Sequence, residues 1–175
     1  MNKKTLLFLV IIIVLCLAAV AFIVYGPEDG RTMESRAKMI DSENDIEWQI
    51  VEERNIEGYI VSGITCGQKE GIAVFEPEEN GKYRFLGATF VEPGSVVRET
   101  FLLAGRSGKS IHVFWLNRED LDYAEITVAV NGKNPTTEKY DLSESALIYT
   151  SVDADYYSLD VAYYDKNGNV VINEM

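Results

Sequence analysis

Seven consecutive residues, Ser110 to Leu116 (SIHVFWL), constrain the fold more than any other stretch of the sequence. In an extended chain successive side chains point to opposite faces, and here both faces carry large apolar groups. Such a segment cannot border water on either side. It predicts a central strand covered on both faces.

Most of the remaining sequence has the same extended character. Ile46–Val51, Gly58–Ile64, Gly71–Phe75 and Tyr83–Val91 read as strands, with Pro77–Gly81 between the last two carrying the Asn80-Gly81 pair of a hairpin turn. Beyond Glu92-Pro93-Gly94-Ser95 the strands become denser: Val96–Ala104, Ser110–Leu116, Tyr123–Val130, Ala146–Val152, Tyr156–Tyr164 and Val170–Ile172. Ile126, Val128 and Val130 share one face, as do Leu159, Val161 and Tyr163. Short strands with turn signals at regular intervals predict a β-sandwich-like region over 93–175, after an antiparallel meander over 46–92. The span 46–175 also reads as one domain.

The N-terminal part is of a different kind. Thr5 to Tyr25 is a run of 21 residues without charge or proline, beginning Thr5-Leu6-Leu7 and ending Val24-Tyr25. About 20 helical residues cross a ~30 Å hydrocarbon core, so residues 1–25 read as a transmembrane anchor. Lys3 and Lys4 would hold the short N-terminus in the cytoplasm and place the domain outside, with Tyr25 at the interface. Ala19-Val20-Ala21 offers a signal-cleavage alternative and hence secretion, although four apolar residues follow the cut. Lipidation at Cys16 is disfavoured by Leu15, which is too large for the position before a modified cysteine. Residues 26–45 form a polar linker in which Met33, Ala37 and Ile40 keep helical spacing. They predict a short helix over 32–41, capped by Thr32 with Ser35 and packed on the sheet. The fold class expected is therefore α+β, mostly β: a transmembrane helix, a short helix and antiparallel sheets.

Charge excludes some partners. The chain carries −12, and about −14 once Lys3 and Lys4 are set aside, which opposes nucleic acid and anionic lipid head groups. The two cysteines, Cys16 and Cys66, cannot meet if the apolar run spans a membrane, so Cys66 is expected as a lone, buried thiol.

The chain resembles the small single-anchor or lipid-anchored surface proteins of Gram-positive bacteria. The resemblance rests on Met1-Asn2-Lys3-Lys4, the polar helical linker, the pair Gly71–Phe75 and Lys82–Phe85, and the hairpin Tyr164–Val170. It implies a cell-surface location and an α+β architecture, and carries over no active site.

Candidate chemistry is sparse. Asp120 and Asp122 lie in one inter-strand loop and Asp153 and Asp155 in another; if both fall at one end of the fold, their oxygens would converge on Ca²⁺. Solvated acidic loops are the preferred reading, so no cofactor is assigned. Asp165-Lys166-Asn167-Gly168-Asn169 imitates the start of a Ca²⁺ loop, but Val170 stands where that loop needs glycine, which leaves a hairpin turn. The glycines of Gly105–Ser110 have the wrong spacing for a phosphate loop. With His112 the only histidine and no Gly-x-Ser-x-Gly elbow, a structural role for it is preferred to zinc binding or a catalytic triad. Of the ten tyrosines, alternation puts Tyr156 and Tyr164 on one face and Tyr157 and Tyr163 on the other, one pair in the core.

These features lead to a membrane-anchored extracytoplasmic binding or interaction domain, non-enzymatic, for a cell-envelope protein or glycan. The alternatives are a carboxylate-dependent hydrolase of envelope glycan or peptide, and a structural or assembly role.

Overall fold

The computed structural model describes residues 11–16, 29–44, 46–103, 109–143 and 145–174. It is mostly β, with short N-terminal helices and three antiparallel sheets. Residues 11–16 are helical, and no helix among the described residues is long and apolar enough to cross a membrane. The anchor positions Thr5, Leu6, Leu7, Val24 and Tyr25 lie outside the described residues.

Helix α1 (Met33–Asn44) precedes a first sheet of β1 (Gln49–Ile56), β2 (Tyr59–Thr65), β3 (Glu70–Pro77) and β4 (Tyr83–Val91), hydrogen-bonded in that order. A second sheet has β6 (Lys109–Trp115) between β5 (Val97–Leu102) and β9 (Leu147–Asp153). The third runs β11 (Val170–Glu174), β10 (Tyr157–Tyr164), β7 (Tyr123–Val130), β8 (Thr136–Asp141).

Alternation along β6 organises these layers. Ile111, Val113 and Trp115 pack with Val61, Ile72 and Val74 of the first sheet. Phe114, on the opposite face, packs with Ile126 of β7 and Leu159, Val161 and Tyr163 of β10. The central strand expected from SIHVFWL is thus covered on both sides. Trp115 packs directly over Gly63 of β2. A Cβ built there would stand 2.6 Å from Cε2 and 2.7 Å from Nε1 of the fully buried Trp115 indole.

The outer face of the first sheet is closed by α1. The Thr32 hydroxyl caps the helix by accepting from the Ser35 amide at 3.1 Å, so the cap lies where the sequence places it. Ile40 is buried against Trp48, Ile64 and Phe75. Beside them Arg36 donates from Nε to Glu53 Oε1 at 2.7 Å and from Nη2 to Oε2, and the Ser62 hydroxyl donates to Oε1 at 2.8 Å. The segment from Asp29 is therefore docked on the sheet: the Tyr83 amide donates to the Asp29 carbonyl at 2.9 Å, and Arg36 Nη1 to Gly30 O.

Two differences from the sequence reading have local causes. The first strand begins at Gln49 rather than Ile46 and bulges between Ile50 and Glu52. The extra residue inverts the alternation, so Trp48 and Ile50 face the helix while Ile56 faces the second sheet. Strand β8, absent from the reading, is a polar edge paired only with β7. Its apolar signal is missing because five of its six residues are exposed. The turn before it shows the cue: Asn131 and Gly132 both take positive φ, 52° and 65°, as tight hairpins require.

Gly63→Ala should lower stability by about 1–3 kcal/mol in urea unfolding, because a methyl group would meet the indole of a tightly packed core. Arg36→Ala should cost about 3 kcal/mol or more by the same measurement, since it leaves the Glu53 carboxylate without its cation in a largely buried setting.

Candidate functional site

The acidic loops do not meet. Asp122 adjoins the start of β7, where its amide donates to the Tyr164 carbonyl at 2.8 Å. Asp155 adjoins the other end, where the Asn131 amide donates to the Tyr156 carbonyl at 2.9 Å. The register pairs Tyr123 with Tyr164 and Val130 with Tyr157, so a full eight-residue strand separates the loops. At ~3.3 Å per residue the seven steps along it span roughly 23 Å, whereas oxygens sharing one Ca²⁺ each lie within about 2.6 Å of it. Asp120 is engaged by Arg118, whose Nε donates to Oδ1 at 2.9 Å, and this contact lowers the carboxyl's pKa. Asp153 ends β9, in register with Lys109. Among the described residues no group of three or more His, Cys, Asp or Glu is arranged to hold a metal ion.

Asp165 is used by its own turn. Its Oδ1 accepts from the amides of Asn167 and Asn169, both at 2.8 Å, and its Oδ2 accepts from Asn169 Nδ2 at 2.9 Å. Those bonds, the Asn169 side chain first, hold the carboxyl below its ordinary pKa. Of Gly105–Ser110, residues 105–108 lie outside the described residues. Cys66 is a free thiol only partly buried, set against the helix-side cluster instead of inside a core.

The one histidine lies within a cluster of hydroxyls. Ser110 and His112 occupy the face of β6 that turns toward the third sheet. Tyr157 Oη is 2.7 Å from His112 Nε2, Ser110 Oγ is 3.0 Å from the same nitrogen, and Thr100 Oγ1 is 3.0 Å from Nδ1. A serine beside a histidine invites comparison with a nucleophile and its base. The comparison fails on two counts. The group on Nδ1 is a neutral threonine rather than the carboxylate that stabilises an imidazolium. And with His112 2% and Ser110 6% exposed, an acyl group cannot reach Oγ. Burial, and secondarily the positive charge of Arg98, push the His112 pKa below its ordinary value.

The side chains that do face solvent together lie one residue away. Tyr156 is 77% exposed, while Tyr157 turns inward and Tyr163 is fully buried, so the inward pair is the one on the face of Leu159 and Val161. Tyr156 borders an open hollow of about 440 Å³ lined also by Asp155, Asn131, Gly132 and Ser158. Hairpin β7–β8 supplies one wall and the start of β10 the other. A planar ring with a hydroxyl, a carboxylate, an amide and a serine hydroxyl can stack on a flat apolar surface and exchange hydrogen bonds with a polar ligand. Sequence reading put Asp155 and Tyr156 among its candidates but missed Asn131 and Ser158. These join them only through the pairing of β7 with β10.

Comparison of the chain with protein-family models, with curated proteins and with solved structures returns no match.

Millimolar Ca²⁺ should leave the melting temperature unchanged, because the carboxylates are too far apart to share an ion; a rise that saturates with Ca²⁺ would contradict this geometry. Tyr157→Phe should cost about 0.5–1.5 kcal/mol in denaturant unfolding, the net worth of one hydrogen bond.

Proposed function

We propose that the chain is a membrane-tethered extracytoplasmic binding domain without enzymatic activity, and that the hollow around Tyr156 is where it contacts an envelope glycan or protein. The observation carrying this reading is the contrast between two polar clusters. In the one with catalytic residue types Ser110 and His112 are buried and hydrogen-bonded, whereas the one with recognition types is open to solvent.

In this reading Thr5–Tyr25 crosses the membrane, and the second and third sheets act as the two layers of a β-sandwich. The tether is then short. Asp29 is already hydrogen-bonded to β4, and the four residues from Tyr25 to Asp29 reach at most about 14 Å. The domain would ride close to the bilayer, its acidic surface repelled by anionic head groups and directed toward the envelope.

Tyr156→Ala tests the site, since an exposed ring can be removed with little effect on folding. Binding to purified cell-wall glycan or to solubilised envelope proteins should weaken tenfold or more, equivalent to about 1.4 kcal/mol, while the melting temperature stays constant. Equal binding by the variant and the parent chain would remove the hollow from consideration. The tether is tested separately: after alkaline carbonate washing the chain should stay with the membrane pellet, and recovery in the supernatant would favour signal cleavage.

A further inference from the structure

We propose that His112 is a proton-operated latch between the second and third sheets, holding the start of β10 against β6 when neutral and releasing it when protonated.

The geometry of the contact is specific. His112 sits on the central strand of the second sheet, in register with Thr100 of β5 on one side and Thr150 of β9 on the other. Tyr157, the first residue of β10, reaches it from the third sheet, its ring edge-on at a centroid distance of 5.2 Å. The neutral ring finds a partner for each nitrogen. With the proton on Nδ1, the ring donates to Thr100 Oγ1, while Nε2 accepts from the Tyr157 hydroxyl. Ser110 Oγ, 3.4 Å from Val152 O, then donates there.

Adding a proton reverses this arrangement. Both ring nitrogens become donors, so Nε2 donates to the Tyr157 oxygen and Tyr157 must turn its own hydrogen away, with Ser110 Oγ 3.4 Å from it. The new charge also lacks a counter-ion. Facing it are Arg98 and Thr100 from β5, Ser110 and Phe114 from β6, Thr150 and Val152 from β9, and Tyr157 and Leu159 from β10. Among these described residues the only charged side chain is Arg98, of the same sign. Imidazolium is therefore disfavoured while the ring stays enclosed, and burial and Arg98 lower its pKa accordingly.

The sign of the effect follows. The folded value lies below the ordinary 6.5, so opened chains bind more protons as the pH falls. The latch is fully effective above about pH 6.5 and weakens as pH drops toward the folded value, its opening favoured by up to tenfold per pH unit. The part released adjoins the Tyr156 hollow, because Tyr157 follows directly and also borders it.

The test uses the full chain in detergent micelles. His112 is the only histidine, so its ring signals in NMR belong to it without ambiguity. Hydrogen exchange of β10, normalised for the intrinsic rate and referred to β2 and β3, is followed from pH 7.5 to 5.5. The relative opening of β10 should rise severalfold across that range, and the ring should titrate below its ordinary value. His112→Gln, which stays neutral, should abolish the rise. Tyr157→Phe should already raise β10 opening at pH 7.5. A pH-independent ratio in the parent chain, a ring titrating at or above 6.5, or an undiminished rise in His112→Gln would each overturn the latch. Should His112→Gln fail to fold, the ring titration and Tyr157→Phe decide.

Discussion

The rest of the structure depends on the burial of β6 on both faces. A strand with Ile111, Val113 and Trp115 on one side and Phe114 on the other needs a sheet against each. Each large side chain removed fully from water contributes about 1.5–3 kcal/mol, so leaving either face open would forfeit a large part of the net stability of a domain this size. The first sheet covers one face and the third covers the other. Helix α1 then closes the far side of the first sheet, where Ile60, Ile64, Phe75 and Phe85 would otherwise meet water.

Polar groups inside these layers follow two different logics. Arg36 and Glu53 are charged, largely buried and paired through two hydrogen bonds, with Ser62 satisfying Glu53 further. Such a pair fixes how the helix lies on the sheet, since each ion strands the other if the register shifts. The His112 cluster is neutral, and its hydroxyls adapt as donors or acceptors. That adaptability satisfies the neutral ring, whereas an added proton meets burial and the like charge of Arg98. Tyr163 Oη, Trp115 Nε1 and Trp48 Nε1 are buried with no hydrogen-bond partner among the described residues.

Legibility in the sequence varied with how each strand is buried. Strands β4 and β7 run over the residues expected from their patterns, Tyr83–Val91 and Tyr123–Val130. In β7 one face, with Ala124 and Ile126, is core and the other is not, so the alternation survives. β8 was invisible because its residues are nearly all exposed and its Thr, Glu and Lys resemble a loop, although Asn131-Gly132 announced the turn. The bulge in β1 was not legible either, because one inserted residue changes pairing without changing composition. At the candidate site, Asp155 and Tyr156 were visible as residue types, whereas the distance between the two acidic loops depended on strand register.

By itself the sequence determined most of the extended segments, that Ser110–Leu116 lies inside, that the helix is capped at Thr32, and that one long apolar run precedes an acidic region. These are local properties, written in periodicity, turn chemistry and charge. Only the tertiary structure decided that the acidic loops stand at opposite ends of β7, that Asn131 and Ser158 join Tyr156 at the surface, and that Tyr157 reaches His112. The reason is physical. Strand pairing and sheet packing bring together residues tens of positions apart, and the free energy that selects one register comes from burying whole faces, which no single residue encodes.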